Sequence, residues 1–153
     1  LIGEAVITRA PNRLQTVLGS CVGLAIGDSV AGLVGLAHIV LPAGSAPRAC
    51  AMTGKFADQA TRLLIEGLVR HGAHLARLSA MLSGGARMLV GDAVLPEHDI
   101  GRRNLEAVRH HLAAHRVPII DQRVGGRIAR RMGVTAAPFA MTVIELPPQD
   151  ACL

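Results

Sequence analysis

Two side chains in this 153-residue chain carry the chemistry of a thiol hydrolase. Cys21 follows Gly19 and Ser20 at the junction of two apolar segments. Glycine at such a junction lets the backbone turn tightly and brings amide N–H groups near a reacting atom. His38 lies within Leu36-Ala37-His38-Ile39-Val40, an otherwise apolar strand, where a buried imidazole needs a partner. On neighbouring strands, the imidazole could take the thiol proton and the thiolate could attack a carbonyl. Each residue alone also has a plainer reading, as a small buried core cysteine and a core histidine with its ring satisfied. Thiol labelling separates the two: a catalytic Cys21 is expected to react with iodoacetamide well below pH 8.5, the ordinary thiol pKa being about 8.5.

Other candidates carry less. Leu82-Ser83-Gly84-Gly85-Ala86 could cradle a phosphate, but no Lys-Ser/Thr follows, so a tight structural turn is the simpler reading; the same holds for Val124-Gly125-Gly126. His111 and His115 are spaced as zinc ligands on a helix, with His98 and His110 near in sequence, yet no Glu or Cys completes a set. No metal or organic cofactor is expected. The net charge of +5 comes mostly from arginine, at Arg102–Arg103 and at Arg127, Arg130 and Arg131. With two Phe and no Tyr or Trp there is little to stack on bases, so an Arg-rich genome or an acidic protein partner explains the charge better than nucleic acid.

These side chains must be positioned by a core of Leu, Val, Ile, Ala and Met, since half the residues are apolar. Strands are expected over 2–8, 14–18, 22–26, 33–41, 75–82 and 117–120, with a closing hairpin from 128–134 and 140–146. Helices are expected over 55–71, where Phe56, Ala60, Leu63, Leu64, Gly67 and Leu68 share a face, and over 102–115. Gly72 suits a helix terminator. Residues 43–53 read as a loop, 89–98 are ambiguous, and the tail from Pro147 reads as frayed. Two helices among seven or eight strands give an α+β pattern in one domain over residues 1–153. The longest apolar run, Ala31 to Pro42, is broken by Gly32, Gly35 and His38 and falls short of the roughly 20 residues of a membrane span. No basic segment precedes a long apolar one at the start, as a signal peptide would have, so no membrane insertion is expected. Three irregularly spaced cysteines do not form a disulfide framework and suggest a reduced, cytoplasmic setting.

Six blocks in order give a more specific reading. Thr16-Val17-Leu18-Gly19-Ser20-Cys21-Val22-Gly23 resembles the nucleophile segment of the CheD chemoreceptor glutamine deamidases. Gly35-Leu36-Ala37-His38-Ile39-Val40-Leu41-Pro42 resembles their AHxxLP strand, and Gly54-Lys55-Phe56-Ala57-Asp58-Gln59-Ala60 their GKYADxA helix start. Leu82 to Met88 resembles the GGAxM turn, Asp99 to Asn104 the NIGxRN block, and Val124 to Arg130 the xGGxxxR block. The resemblance spans about residues 3–146. It implies a mixed β-sandwich with flanking helices, of the cysteine-hydrolase type also used by Rho-deamidating toxins. It implies a protein-glutamine glutaminase acting on methyl-accepting chemotaxis receptors, and in many members a CheC-type phosphatase as partner. The family nucleophile falls on Cys21 and its base on His38. Backbone N–H groups around Gly19, Ser20 and Cys21 would hold the oxyanion.

One departure stands out. The family's third catalytic residue is a Thr six positions before the Cys, and here that position is Gln15, with Thr16 one residue later. Side chains alternate along a regular strand, which turns Gln15 toward the site and Thr16 away, unless a bulge at Gly19 reverses the register. With Gln15 as the orienting group, a slow deamidase is expected; the alternative is an inert module that binds receptors or a CheC-type phosphatase.

Overall fold

The computed structural model describes residues 2–44, 54–88 and 98–148. Its elements in chain order are β1 (Ala5–Arg9), β2 (Arg13–Leu18), β3 (Val22–Asp28), β4 (Leu33–Ile39), α1 (Ala57–Arg70), β5 (Ser79–Gly84), α2 (Ile100–Ala114), β6 (Ile119–Val124), β7 (Arg130–Ala136) and β8 (Phe139–Glu145). A five-stranded mixed sheet runs β1-β4-β3-β5-β6, with only β5 and β6 parallel. A three-stranded antiparallel sheet, β2-β7-β8, covers one of its faces.

Strand alternation assigns the two faces of the large sheet to two cores. Val22, Leu24 and Ile26 of β3 and Leu33, Ala37 and Ile39 of β4 pack with Leu64 and Leu68 of α1 and Leu105, Val108 and Leu112 of α2. Ala25 of β3 and Val34 and Leu36 of β4 point the other way and pack with Leu18, Met132, Val134 and Ala136 of the small sheet. Small residues on the central strand let the sheets close together. A Cβ at Gly23 would lie 2.5 Å from Met132 Sδ, and one at Gly27 would lie 2.8 Å from the Phe139 ring. The architecture is the α+β sandwich with helices on its outside that the sequence implies.

Several boundaries differ from expectation for identifiable reasons. The first helix starts at Ala57, not Lys55, because the Lys55 carbonyl accepts from the N–H groups of Val40 (2.9 Å) and Leu41 (3.0 Å), tying residue 55 to the end of β4. The helix is terminated by Gly72 at φ 108°. The strand expected from Leu75 begins only at Ser79; Leu75–Arg77 is a 3₁₀ turn. That turn is drawn to buried Asp28, which accepts from His74 N–H at 2.9 Å and from Arg77 Nε at 3.0 Å. The second helix begins at Ile100 because Asp99 caps it, its carboxylate accepting from the Arg102 N–H at 3.1 Å. The strand expected to stop at Ile120 continues to Val124, since its pairing with β5 persists to Gly84↔Val124. The ambiguous stretch lies outside the described residues except for His98, as do Cys50 and Cys152.

Candidate active site

His38 is an even-numbered residue of β4 and shares its face with Val34 and Leu36, so its ring enters the space between the sheets, at the end where β3 begins. It is opposite Gly23, whose missing side chain leaves room for Met132 and Leu18 of the small sheet. From the small sheet, Thr16 meets it: Thr16 Oγ1 and His38 Nδ1 are 2.7 Å apart, and both residues are buried. Cys21 lies just before β3, packs against the same inter-sheet core, and lines one cleft of about 420 Å³ together with Thr16, His38 and Ser20. Larger cavities, such as the groove of about 650 Å³ beside Ile128 and Pro147, contain neither Cys21 nor His38.

The expectation that Gln15 faces His38 and Thr16 points away is reversed. Thr16 points inward and bonds the ring, whereas Gln15 is exposed on the rim of the cleft. The parity argument counted from Cys21, but β2 ends at Leu18 and three bent residues intervene, so alternation does not carry across. Counted within the strand, Thr16 shares its face with fully buried Leu18.

The glycine pairs are structural braces, not phosphate cradles. Gly85 N–H donates to Cys21 O (2.8 Å) and Ala86 N–H to Gly19 O (2.9 Å), so these donors hold the turn that carries the thiol. Gly84 has φ 90°, and a Cβ there would collide with the Cys21 carbonyl. The second pair buttresses the first: Gly125 N–H donates to Gly84 O at 2.9 Å and Arg87 N–H to Gly126 O at 2.8 Å. Arg130, almost wholly buried, closes the chain by donating to Gly125 O at 2.6 Å.

One contributor escaped the reading of individual residues. Asn104, fully buried on α2, donates from Nδ2 to Val40 O at 2.9 Å and to Ser20 O at 3.5 Å. The only sequence signal for it was its place in the Asp99–Asn104 block. The helix can bring it so close because Gly101 abuts Gly85: a Cβ on Gly101 would lie 2.6 Å from Gly85 O.

Burial sets the protonation states. It pushes the Cys21 thiol above the ordinary thiol range, an effect opposed by the thiol's own backbone N–H, which favours the thiolate. Burial lowers the His38 imidazole from 6.5 to about 4. At neutral pH the pair is therefore thiol and neutral imidazole, and the thiol is not ionised in advance as the labelling expectation assumed. A neutral ring with its Nδ1–H donating to Thr16 Oγ1 leaves Nε2 as a free base. Among the described residues no group of three or more His, Cys, Asp and Glu side chains could hold a metal ion. His111 and His115 lie at the solvent-facing end of α2, where the His110 and His111 rings contact each other at 5.2 Å. No helix among the described residues is long and apolar enough to cross a membrane.

A sequence model of the family described as CheD chemotactic sensory transduction matches residues 40–144. The chain is 42% identical over 133 residues to a probable chemoreceptor glutamine deamidase CheD of Moorella thermoacetica, covering 86% of this chain and 80% of that protein. It is 40% identical to the Symbiobacterium thermophilum protein of the same name, over 86% of this chain and 81% of that one. With the Clostridium botulinum protein of that name it shares 36% identity over 93% of this chain and 88% of that one. A solved structure, the Bacillus licheniformis hypothetical protein YfiH, aligns with TM-score 0.43 at 16% identity over 78% of this chain and 50% of that one, a likeness too distant to carry weight.

Proposed function

The chain belongs to the CheD family, and we propose that it is a chemoreceptor glutamine deamidase in which Cys21 is the nucleophile, His38 the base and Thr16 the residue that orients the base. The observation that carries the assignment of roles is the 2.7 Å pairing of Thr16 with His38 in the cleft that Cys21 lines. His38 Nε2 takes the thiol proton while Nδ1–H donates to Thr16 Oγ1. The thiolate attacks the side-chain carbonyl carbon of a receptor glutamine, forming a C–S bond and an oxyanion. The oxyanion accepts from the backbone N–H groups of Ser20 and Cys21. The imidazolium returns its proton to the leaving nitrogen, the C–N bond breaks and ammonia departs, leaving a thioester. Water, deprotonated by His38, then attacks the thioester and releases glutamate and the thiol. No cofactor enters these steps.

The neutral starting pair suits this order of events, because charge is created only when the substrate carbonyl is in place to use it. The reading of an inert binding module rested on Gln15 as third residue, and it loses its ground because Thr16 is the residue that meets His38. A CheC-type phosphatase as binding partner belongs to the same proposal, supported by family membership, and co-purification tests it. The deciding experiment is mass spectrometry of a receptor cytoplasmic fragment after incubation with the protein. Glutamine converted to glutamate at defined positions, with ammonia released in equal amount, is the expected result. An unaltered fragment refutes the proposal.

A further inference from the structure

Resting on that reading, we infer that Asn104 is a positioning residue that sets the oxyanion donors by clamping the peptide unit between Ser20 and Cys21. The C=O and N–H of a trans peptide unit point in opposite directions, and the cis bonds of this chain, at Pro11 and Pro138, lie elsewhere. Ala86 N–H holds Gly19 O at 2.9 Å, Asn104 Nδ2 reaches Ser20 O at 3.5 Å, and Gly85 N–H holds Cys21 O at 2.8 Å. Three successive carbonyls are thus drawn to donors on the brace side. The N–H groups of Ser20 and Cys21, which share peptide units with the first two, are turned away from those donors, and the thiol is hydrogen-bonded by the Cys21 N–H. The first carbonyl is held by a backbone donor and the second by the Asn104 side chain.

The Asn104 amide is oriented without ambiguity, since two carbonyl oxygens face its nitrogen and the reverse placement would set oxygen against oxygen. Among the described residues its buried Oδ1 has no hydrogen-bond partner, whereas its Nδ2 has two acceptors. The bond to Val40 O fixes the amide and also the end of the strand that carries His38. The longer bond to Ser20 O strengthens during the reaction. An oxyanion accepting from Cys21 N–H polarises the whole peptide unit and makes Ser20 O a better acceptor for Asn104.

The test is Asn104→Leu, which removes both donors at similar size, assayed in two reactions. Deamidation develops an oxyanion. Alkylation of Cys21 by iodoacetamide needs the thiolate and its base but develops none. The expected result is a kcat for ammonia release from a receptor cytoplasmic fragment lowered at least about tenfold, below the hundredfold or more of losing an oxyanion donor outright. KM should stay within about twofold of the parent's, and alkylation should fall less than kcat, because the Cys21 N–H favours the thiolate as well as the oxyanion but only deamidation needs both. An unchanged kcat overturns the inference, and so does alkylation falling in parallel with kcat, which marks general disorder of the site. Should Asn104→Leu fail to fold by circular dichroism, Asn104→Ala decides. Its methyl group carries no donor, so deamidation at the parental rate overturns the inference and selective loss supports it. A parent protein that releases no ammonia removes the proposed function and this inference with it, whereas an active parent with an equally active Asn104→Leu removes only the inference.

Discussion

Replacing Thr16 by Val keeps the shape of the buried side chain and removes only the oxygen that lies 2.7 Å from His38 Nδ1. In the resting site that contact joins two neutral groups and is worth about 1 kcal/mol net. When His38 takes the thiol proton the ring becomes cationic, and the same bond becomes charge-assisted, worth about 1.5–3 kcal/mol. The variant therefore loses about 0.5–2 kcal/mol more in the transition state than in the resting enzyme, which lowers kcat/KM about 2- to 30-fold. Loss of tautomer control adds to this, because no acceptor then keeps the proton on Nδ1 and the lone pair on Nε2. Ammonia release from a receptor cytoplasmic fragment measures the effect. Thr16→Ser, which retains the hydroxyl, should recover most of the rate. Gln15→Ala and Gln15→Thr should leave it within about twofold, since Gln15 is exposed on the rim of the cleft and it is Thr16 that bonds His38. A Thr16→Val enzyme as active as its parent, or a large loss in Gln15→Ala, would show that Thr16 does not orient the base.

Cys21→Ala should abolish ammonia release without altering the circular dichroism spectrum, and residual turnover would place the nucleophile elsewhere. The acid limb of kcat/KM should have its midpoint near pH 4, where His38 protonates, with no further change until the thiol ionises above the ordinary thiol range; a midpoint near 6.5 would contradict the buried, neutral ring. Asp28→Asn should lower stability by about 2–4 kcal/mol in urea titration, because it unpairs a buried carboxylate site that accepts from Val30, Ala31 and His74 N–H groups and from Arg77. Arg77 holds the Asp28 carboxyl well below the usual range, so this stability is present above about pH 4 and disappears as the pH falls below it. Activity at neutral pH should survive, as Asp28 and Cys21 flank opposite ends of β3, about 20 Å apart for a strand of this length. Unchanged stability in Asp28→Asn would mean the cluster contributes nothing net.

The two candidate residues that share the cleft were legible in the sequence because each is locally anomalous: a cysteine after Gly-Ser, and a histidine inside an apolar strand. The layers were legible because alternation in β3 and β4 separates the helix-facing residues from the sheet-facing ones. The third residue was misplaced by a single step, and the cause is general. Alternation is a property of one strand, and it was carried from Cys21 back to Gln15 through Gly19 and Ser20, where the chain is bent. The apolar positions inside β2 held the right answer, since Leu14, Thr16 and Leu18 fall on one face and only that face can meet the large sheet. Asn104, and the carbonyls that the two glycine turns hold, were hidden for a different reason. The role of Asn104 and of the turns is to bind carbonyls of segments more than 60 residues away in the case of Asn104, and no local pattern encodes a partner at that distance. What a sequence does show at such positions is a polar or small residue where an apolar one would pack better. Asn104 lies in line with Gly101, Leu105, Val108 and Leu112 on the buried face of α2, and an amide among them has to find its acceptors in the tertiary fold. Such a residue is a reason to ask which backbone it holds, and in this chain it holds the carbonyls of Ser20, next to Cys21, and of Val40.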